Sequence, residues 1–404
     1  MALYAFDGTW NEDEENPTAD TNVVHFRDAY EGPVEYRQGV GTRLGVLGRM
    51  AGGLFGAGGR SRIEEMYNAA RTNWLAGDRV IDIVGFSRGA ALAVHFANLV
   101  AGHGLKLPDG LVVQAPVRFL GVWDIVGSFG LPVNFLIDFQ GINLGWTIDR
   151  VPQAVECCRH AMALDERRQT FGVTRLSAGP NVEELWFRGV HSDVGGGNTN
   201  IARSNLALAW MLEEGKAAGL PIARATIDDV AATANRHARV SSNLDIVRNR
   251  RRARHETDQH HPSAVADTLA PGQSATFPVR SSDHYNWTGV RAEQGATYRV
   301  EVPGDQRWVD GGISATADGW TSAELPFLKE ALVRSFELRR RAPRANWFQL
   351  VLTLDDDDQD VYPVGTSGQF VATRDADLWA FANDLKEKYG NNKGELLVTV
   401  TRVS

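Results

Sequence analysis

The sequence predicts an α/β fold, a parallel sheet with flanking helices, followed by a β-sandwich. Three observations carry this. Val80 to Val84 is an apolar run rich in β-branched residues. It ends in Gly85-Phe86-Ser87-Arg88-Gly89 and passes at once into the small-residue helical pattern Ala90-Ala91-Leu92, which reads as strand, sharp turn and helix. Two further apolar runs, Val117 to Trp123 and Glu183 to Val190, each end in a polar turn that contains glycine. From residue 276 short alternating segments separated by turn residues replace that pattern.

A chain of 404 residues exceeds the usual size of a single core. Residues 1–260 are assigned to the α/β domain and 270–404 to the sandwich, with the polar stretch 255–275, containing Pro262 and Pro271, as the connection. With 43% hydrophobic and 23% charged residues the composition is that of an ordinary globular protein. The net charge of −8 argues against nucleic acid as a partner. The basic cluster Arg248, Arg250, Arg251, Arg252 and Arg254 is expected to be a solvated helix face. Cys157 and Cys158 are neighbours, which disfavours a disulfide between them. They read as helix or core thiols of a protein made in a reducing compartment, the cytoplasm. Met1 to Asp7 reads as a strand, not a signal peptide, and no apolar run is long enough to span a bilayer. Export would use a machine that needs no cleaved signal, and any membrane contact would be at the surface.

The first strand, residues 3–6, ends in Asp7-Gly8-Thr9. The amides of Gly8 and Thr9 are candidates for half of an oxyanion hole, and an Asx turn closed by Asp7 is compatible with that. Residues 12–22 read as a polar loop. The glycine-rich stretch 41–59 reads either as an apolar lid or as a packed loop. Residues 61–76 show helical spacing, with Ser61 as the cap. After the strand 117–123 comes an apolar insertion, Phe129 to Trp146. A helix is expected over 152–172, then the strand 183–190, and then a helix through Leu206 to Met211.

Ser87, Asp124 and His191 therefore each lie just past the end of an apolar strand. In a parallel sheet those ends share one edge. The chain order Ser, Asp, His is that of α/β-hydrolases. Serine is a weak nucleophile until a base takes its proton, histidine is a base suited to neutral pH, and a buried carboxylate fixes the histidine tautomer. The Arg88 amide would face the oxyanion. Asp193 is the rival acid, but it lies so close to His191 that it is expected to shape the glycine-rich turn instead.

Four segments, FDGTWN (6–11), GFSRGAA (85–91), GVWDIVGS (121–128) and RGVHSDVGGG (188–197), together resemble the α/β-hydrolase domain of type VI secretion lipase effectors. YRQGVGT (36–42) and RHAMALDERR (159–168) add to the likeness, which spans roughly residues 1–260. The resemblance implies an α/β-hydrolase-like parallel sheet and a phospholipase or related lipid esterase with a Ser87, Asp124, His191 triad. It also implies a secretion carrier and an immunity protein as partners.

The C-terminal strands are read over Thr276–Val279, Thr297–Val302, Phe348–Leu354, Gln369–Ala372 and Leu396–Val403, with a helical stretch at about 322–341. The segment from Ala380 to Gly394 carries Asp384, Asn391 and Asn392, oxygen donors of the kind hard Ca²⁺ prefers, although Asn-Asn-Lys-Gly also suits a plain turn. This loop resembles the calcium loop of small galactose-binding bacterial lectins. That resemblance implies a calcium-assisted site for a galactose-type glycan, with a further ligand near Asp310.

The expected activity is hydrolysis of carboxylic esters of lipids, with no cofactor required by the triad. Two alternatives stand beside it: an esterase for non-lipid acyl groups, and a calcium- or carbohydrate-binding module on an inactive hydrolase scaffold.

Overall fold

The computed structural model describes residues 1–8, 20–37, 57–127, 147–241, 250–324, 330 and 333–404. The chain divides into two units, Met1–Ser263 and Ala264–Ser404.

The first unit is built on a seven-stranded sheet. Its strands are β1 (Ala2–Phe6), β2 (Val34–Arg37), β3 (Ile81–Phe86), β6 (Val117–Trp123), β7 (Val155–Ala163), β8 (Val182–Phe187) and β9 (Gln259–His260). The order across the sheet is β2-β1-β3-β6-β7-β8-β9, and every pairing is parallel. A two-stranded hairpin, β4 (Leu105–Lys106) and β5 (Val112–Val113), lies outside it. The helices are α1 (Asn22–Ala29), α2 (Ala57–Leu75), α3 (Ser87–Ala97), α4 (His191–Gly195), α5 (Ile201–Ala217) and α6 (Arg224–Thr233).

Strand alternation gives each face of the sheet its own core. In β1, Tyr4 and Phe6 pack with Ile63 and Met66 of α2 and Phe96 of α3. Leu3 and Ala5 point the other way, to Phe26 of α1 and Leu208 and Met211 of α5. Two-sided burial explains why these strands read as continuous apolar runs. Strand β2 lies on one side of β1 and β3 on the other, so the chain reverses direction across the sheet at β1 and β3. Ligands in such sheets bind beyond the strand ends at that place.

Several expectations change here. Residues 155–163, expected within a helix, form β7, flanked by β6 and β8. Cys157 and Cys158 are strand residues, both free thiols. The Ala-Met-Ala run favours a helix locally, but burial in the middle of the sheet overrides that weak preference. Asn22 to Ala29 is helical, with the Thr21 hydroxyl accepting the Val24 N–H as the N-cap. Helix α2 begins at Ala57, so Ser61 does not cap it; its hydroxyl donates to Glu65 Oε1 (3.0 Å). The lid candidates, all of Phe129 to Trp146 and most of 41–59, lie outside the described residues.

The second unit has a five-stranded sheet, β10-β12-β19-β16-β17, and a four-stranded antiparallel sheet, β11-β21-β13-β18. The strands are β10 (Asp267–Thr268), β11 (Ser274–Arg280), β12 (Asn286–Ala292), β13 (Thr297–Glu301), β16 (Leu350–Leu354), β17 (Val361–Pro363), β18 (Ser367–Val371), β19 (Ala376–Ala382) and β21 (Glu395–Arg402). Phe277, Val300 and Val398 from one sheet share a core with Val290, Leu352 and Leu378 from the other, which makes a sandwich. A small sheet joins β15 (Ile313–Ala315), β14 (Trp308–Asp310) and β20 (Asn392–Lys393). The stretch 322–341 begins with a 3-10 turn at Ser322–Glu324 and has another at Glu337–Arg339; Glu330, Val333 and Arg334 are helical.

Candidate active site

Strand β3 ends at Phe86, and Ser87 opens α3 with φ +59°, a left-handed conformation rare outside glycine. The turn is this tight because its glycines let backbones touch. A Cβ on Gly89 would run into the carbonyl oxygens of Phe6 and Asp7, and one on Gly85 would sit 2.8 Å from Ala90 Cα. The Ser87 hydroxyl is thereby held at the strand edge, beside the helix N-terminus.

The ends of two other strands meet it there. Ser87 Oγ donates to His191 Nε2 (2.8 Å), and His191 Nδ1 donates to Asp124 Oδ2 (2.6 Å). A carboxylate only accepts, so the network places the imidazole proton on Nδ1 and leaves Nε2 as the acceptor for serine. All three residues are buried, Asp124 completely. The His191 ring lies between Phe86 (4.6 Å between centroids) and Phe171 (4.9 Å, edge-on), which leaves it little freedom to turn.

Asp124, at φ +43°, is the most heavily bonded of the three. Its Oδ1 accepts the Ala163 N–H (2.9 Å) and Arg252 Nη1 (2.6 Å); its Oδ2 accepts Arg252 Nη2 (2.9 Å) besides His191. Burial alone would push this carboxyl up. The Arg252 guanidinium and the His191 hydrogen bond outweigh it and hold the carboxyl well below the usual carboxylate range.

Two more buried groups support the frame. Glu166 Oε2 accepts the His191 N–H (3.2 Å) while Glu166 is gripped by Arg168 (2.7 and 2.9 Å). Burial opposes ionisation of Glu166, but Arg168 overcomes it and lowers the carboxyl. His160, in β7, accepts the Ile125 N–H on Nε2 (3.2 Å) and donates from Nδ1 to Glu184 (2.8 Å), pinning the backbone next to Asp124.

Asp193 accepts from the Val190 N–H, Asn198, Asn200 and Ser241, which ties together the turn around His191. Asp7 accepts from Thr21 Oγ1 (2.9 Å) and Tyr36 (2.8 Å). It also takes the N–H of its neighbour Gly8 (2.6 Å), so that amide is engaged by the Asp7 carboxylate here. Thr9 lies outside the described residues. The Arg88 N–H stands in the first turn of α3, where no carbonyl of the helix can accept it. Arg252 departs most from expectation. It belongs to no helix, and its side chain is only 6% exposed. Sequence gave no signal for it, since it lies 128 positions from Asp124.

In the second unit, Asp384 and Asn392 are buried and bonded (Nδ2 to Oδ2, 3.1 Å), and Asn391 donates to Asp310 Oδ1 (3.1 Å). Pairing of β14 with β20 sets Asp310 opposite Asn392. Burial, then the like charge of Asp384, pushes Asp310 up to about 6, and burial raises Asp384 as well. The Asn392 side-chain amide oxygen, Oδ1, is buried with no partner. Among the described residues no three His, Cys, Asp or Glu side chains gather to hold a metal. Asp310, Asp384 and the Asn392 side-chain amide oxygen are oxygen donors of the kind that suit a hard cation.

Among the described residues no helix is long and apolar enough to cross a membrane. No curated protein matches the sequence. Among solved structures, an uncharacterised protein from Pseudomonas aeruginosa is similar at 20% identity, with 57% of this chain and 48% of that one covered and a TM-score of 0.39. A Tle1 effector bound to the VgrG spike of the type 6 secretion system is similar at 23% identity, covering 50% of this chain and 51% of that one, with a TM-score of 0.38. The chain thus spans about half the length of each. The PllA-like N-terminal lectin domain of EclA is 21% identical over 32% of this chain and 95% of its own, with a TM-score of 0.24. Residues 3–112 and 109–214, together more than half of the sequence, match the catalytic domain of Tle1-like type VI secretion phospholipase effectors, and the chain belongs to that family.

Proposed function

We propose that this chain is a serine hydrolase of lipid carboxylic esters, a phospholipase that works through an acyl-enzyme. The observation that carries the reading is the unbroken path of hydrogen bonds from Asp124 through His191 to Ser87 at a strained strand-to-helix turn. Ser87 Oγ attacks the ester carbonyl carbon as its proton passes to His191 Nε2. The imidazolium, stabilised by Asp124, gives that proton to the departing alcohol, and water then cleaves the acyl-Ser87 bond by the same route. The Arg88 N–H stabilises the oxyanion at the N-terminus of α3. Family membership supports a phospholipid as substrate and a type VI secretion carrier as partner.

Fatty-acid release from mixed phospholipid vesicles tests the reading. Wild type should release fatty acid, and Ser87→Ala should lose at least ~10³-fold of that rate with its fold intact. Cleavage of a soluble short-chain ester without lipid hydrolysis would favour a non-lipid acyl esterase. Hydrolysis of neither would favour a binding module on an inactive scaffold.

A second reading concerns the other unit. Asp310, Asp384 and the orphaned Asn392 side-chain amide oxygen would hold Ca²⁺, with Asn391 beside them. The ion would neutralise the buried Asp384 and half-buried Asp310 carboxylates and fix the loop, as a platform for a galactose-type glycan. Calcium-dependent retention on a galactose matrix, lost in Asp384→Ala, is the expected result; retention that ignores calcium would contradict it.

A further inference from the structure

We infer that Arg252 is a positioning residue of the active site, a guanidinium clamp that sets the plane of the Asp124 carboxylate against His191. This rests on the serine-hydrolase reading above and adds to it a residue outside the segment that matches the family, which ends at 214.

The geometry is that of a bidentate pair. Nη1 and Nη2 bond separate oxygens of Asp124 at 2.6 and 2.9 Å. The same two nitrogens donate to the carbonyls of Ala163 (2.7 Å) and Phe171 (2.6 Å). One planar group therefore ties the residue that follows β6 to the end of β7 and to the turn whose Phe171 ring packs edge-on against His191. Asp124 has no other side-chain partner besides His191 among the described residues. The Ala163 N–H bonds Oδ1, and by itself leaves the carboxylate free to rotate about that bond.

The clamp has a physical reason. Asp124 sits in a left-handed backbone conformation and is fully buried, so its charge is costly unless matched. A fork with two parallel N–H bonds matches charge and plane together, which a lysine ammonium cannot do. Arg250 fixes the approach, its N–H donating to the Arg167 carbonyl (2.9 Å), one residue from the Arg168 that grips Glu166. A solvated basic patch would not place a side chain on two backbone carbonyls and one buried acid.

The test uses the full chain and p-nitrophenyl butyrate as probe. Loss of such a supporting partner should lower kcat by ~10–100-fold in Arg252→Ala, with KM nearly unchanged. Millimolar guanidinium should restore much of the lost kcat, because it refills the fork; sodium chloride at equal ionic strength should not. Arg252→Lys should stay well below wild type, since a point charge does not set the carboxylate plane. Full kcat in a folded Arg252→Ala, or in Arg252→Lys, would overturn the inference. So would a lost kcat that guanidinium cannot restore in a folded Arg252→Ala. If Arg252→Ala does not fold, the Lys variant decides. Ser87→Ala run alongside separates the two claims: wild-type turnover there would sink the triad itself, whereas its inactivity beside fully active Arg252 variants would sink only the clamp.

Discussion

Each residue of the Ser87, His191, Asp124 set is held by a different device. Ser87 is held by backbone strain over glycines, His191 by two aromatic rings and Glu166, and Asp124 by a guanidinium. Asp124→Asn should cost kcat about 10⁴-fold in an ester assay, because the neutral amide no longer fixes the imidazole tautomer. The depressed carboxyl of Asp124 is ionised throughout the neutral and mildly acidic range. Its contribution to stability is present above the ordinary carboxylate pKa and is lost only as pH falls through its own, lower value. Ser87, Asp124 and His191 were legible in the sequence as a candidate set because each ends an apolar strand, and parallel strands bring their ends together. Arg252, Glu166 and His160 were not legible in these roles. Their partners are set by packing between distant segments, and arginine, glutamate and histidine in an irregular or Ala-rich stretch look the same whether solvated or buried.

At the scale of elements, the sheet is cross-braced beneath its core. Asp82 of β3, fully buried, accepts Arg118 of β6 (2.6 and 3.0 Å) and the Tyr30 hydroxyl (2.8 Å) that follows α1. Removing the acid strips the half-buried Arg118 guanidinium and the Tyr30 hydroxyl of their shared partner, so Asp82→Ala should cost about 1–3 kcal/mol in a denaturant titration while a refolded sample keeps its kcat. Gly89→Ala should instead hurt both properties. Its Cβ meets two carbonyl oxygens at the end of β1, so a loss of about 1–3 kcal/mol with reduced turnover is expected from melting curves and the ester assay. Strands β1, β3, β6 and β8 were readable from their apolar runs. Strand β7 was not, because its Ala-rich end and charged residues carry a helical local preference that the sheet overrides. The short strands of the small third sheet carry too few residues for any period to register.

At the scale of the whole molecule, each unit has its own core, one with two apolar faces of a parallel sheet and one between two sheets. The two proposed sites therefore sit in separately stabilised bodies. Asp310 gives a handle on the second. Its folded value, near 6, lies above that of an unfolded carboxylate, ~3.9, so the folded state binds more protons between them. In chelator, the second unit should lose stability as pH rises from about 4 to about 6. Asp310→Asn should flatten that slope, and added calcium should raise the melting temperature more at pH 7 than at pH 5. Equal calcium shifts at both pH values, or none, would contradict the cation reading.

The central claim is that Ser87 is a nucleophile activated by His191. The most direct measurement is covalent labelling of the full chain with an alkyl fluorophosphonate, located by peptide mass spectrometry. The account predicts one adduct, on Ser87, formed rapidly in wild type and lost in His191→Ala. An adduct on another residue, or labelling of Ser87 that does not depend on His191, would contradict it.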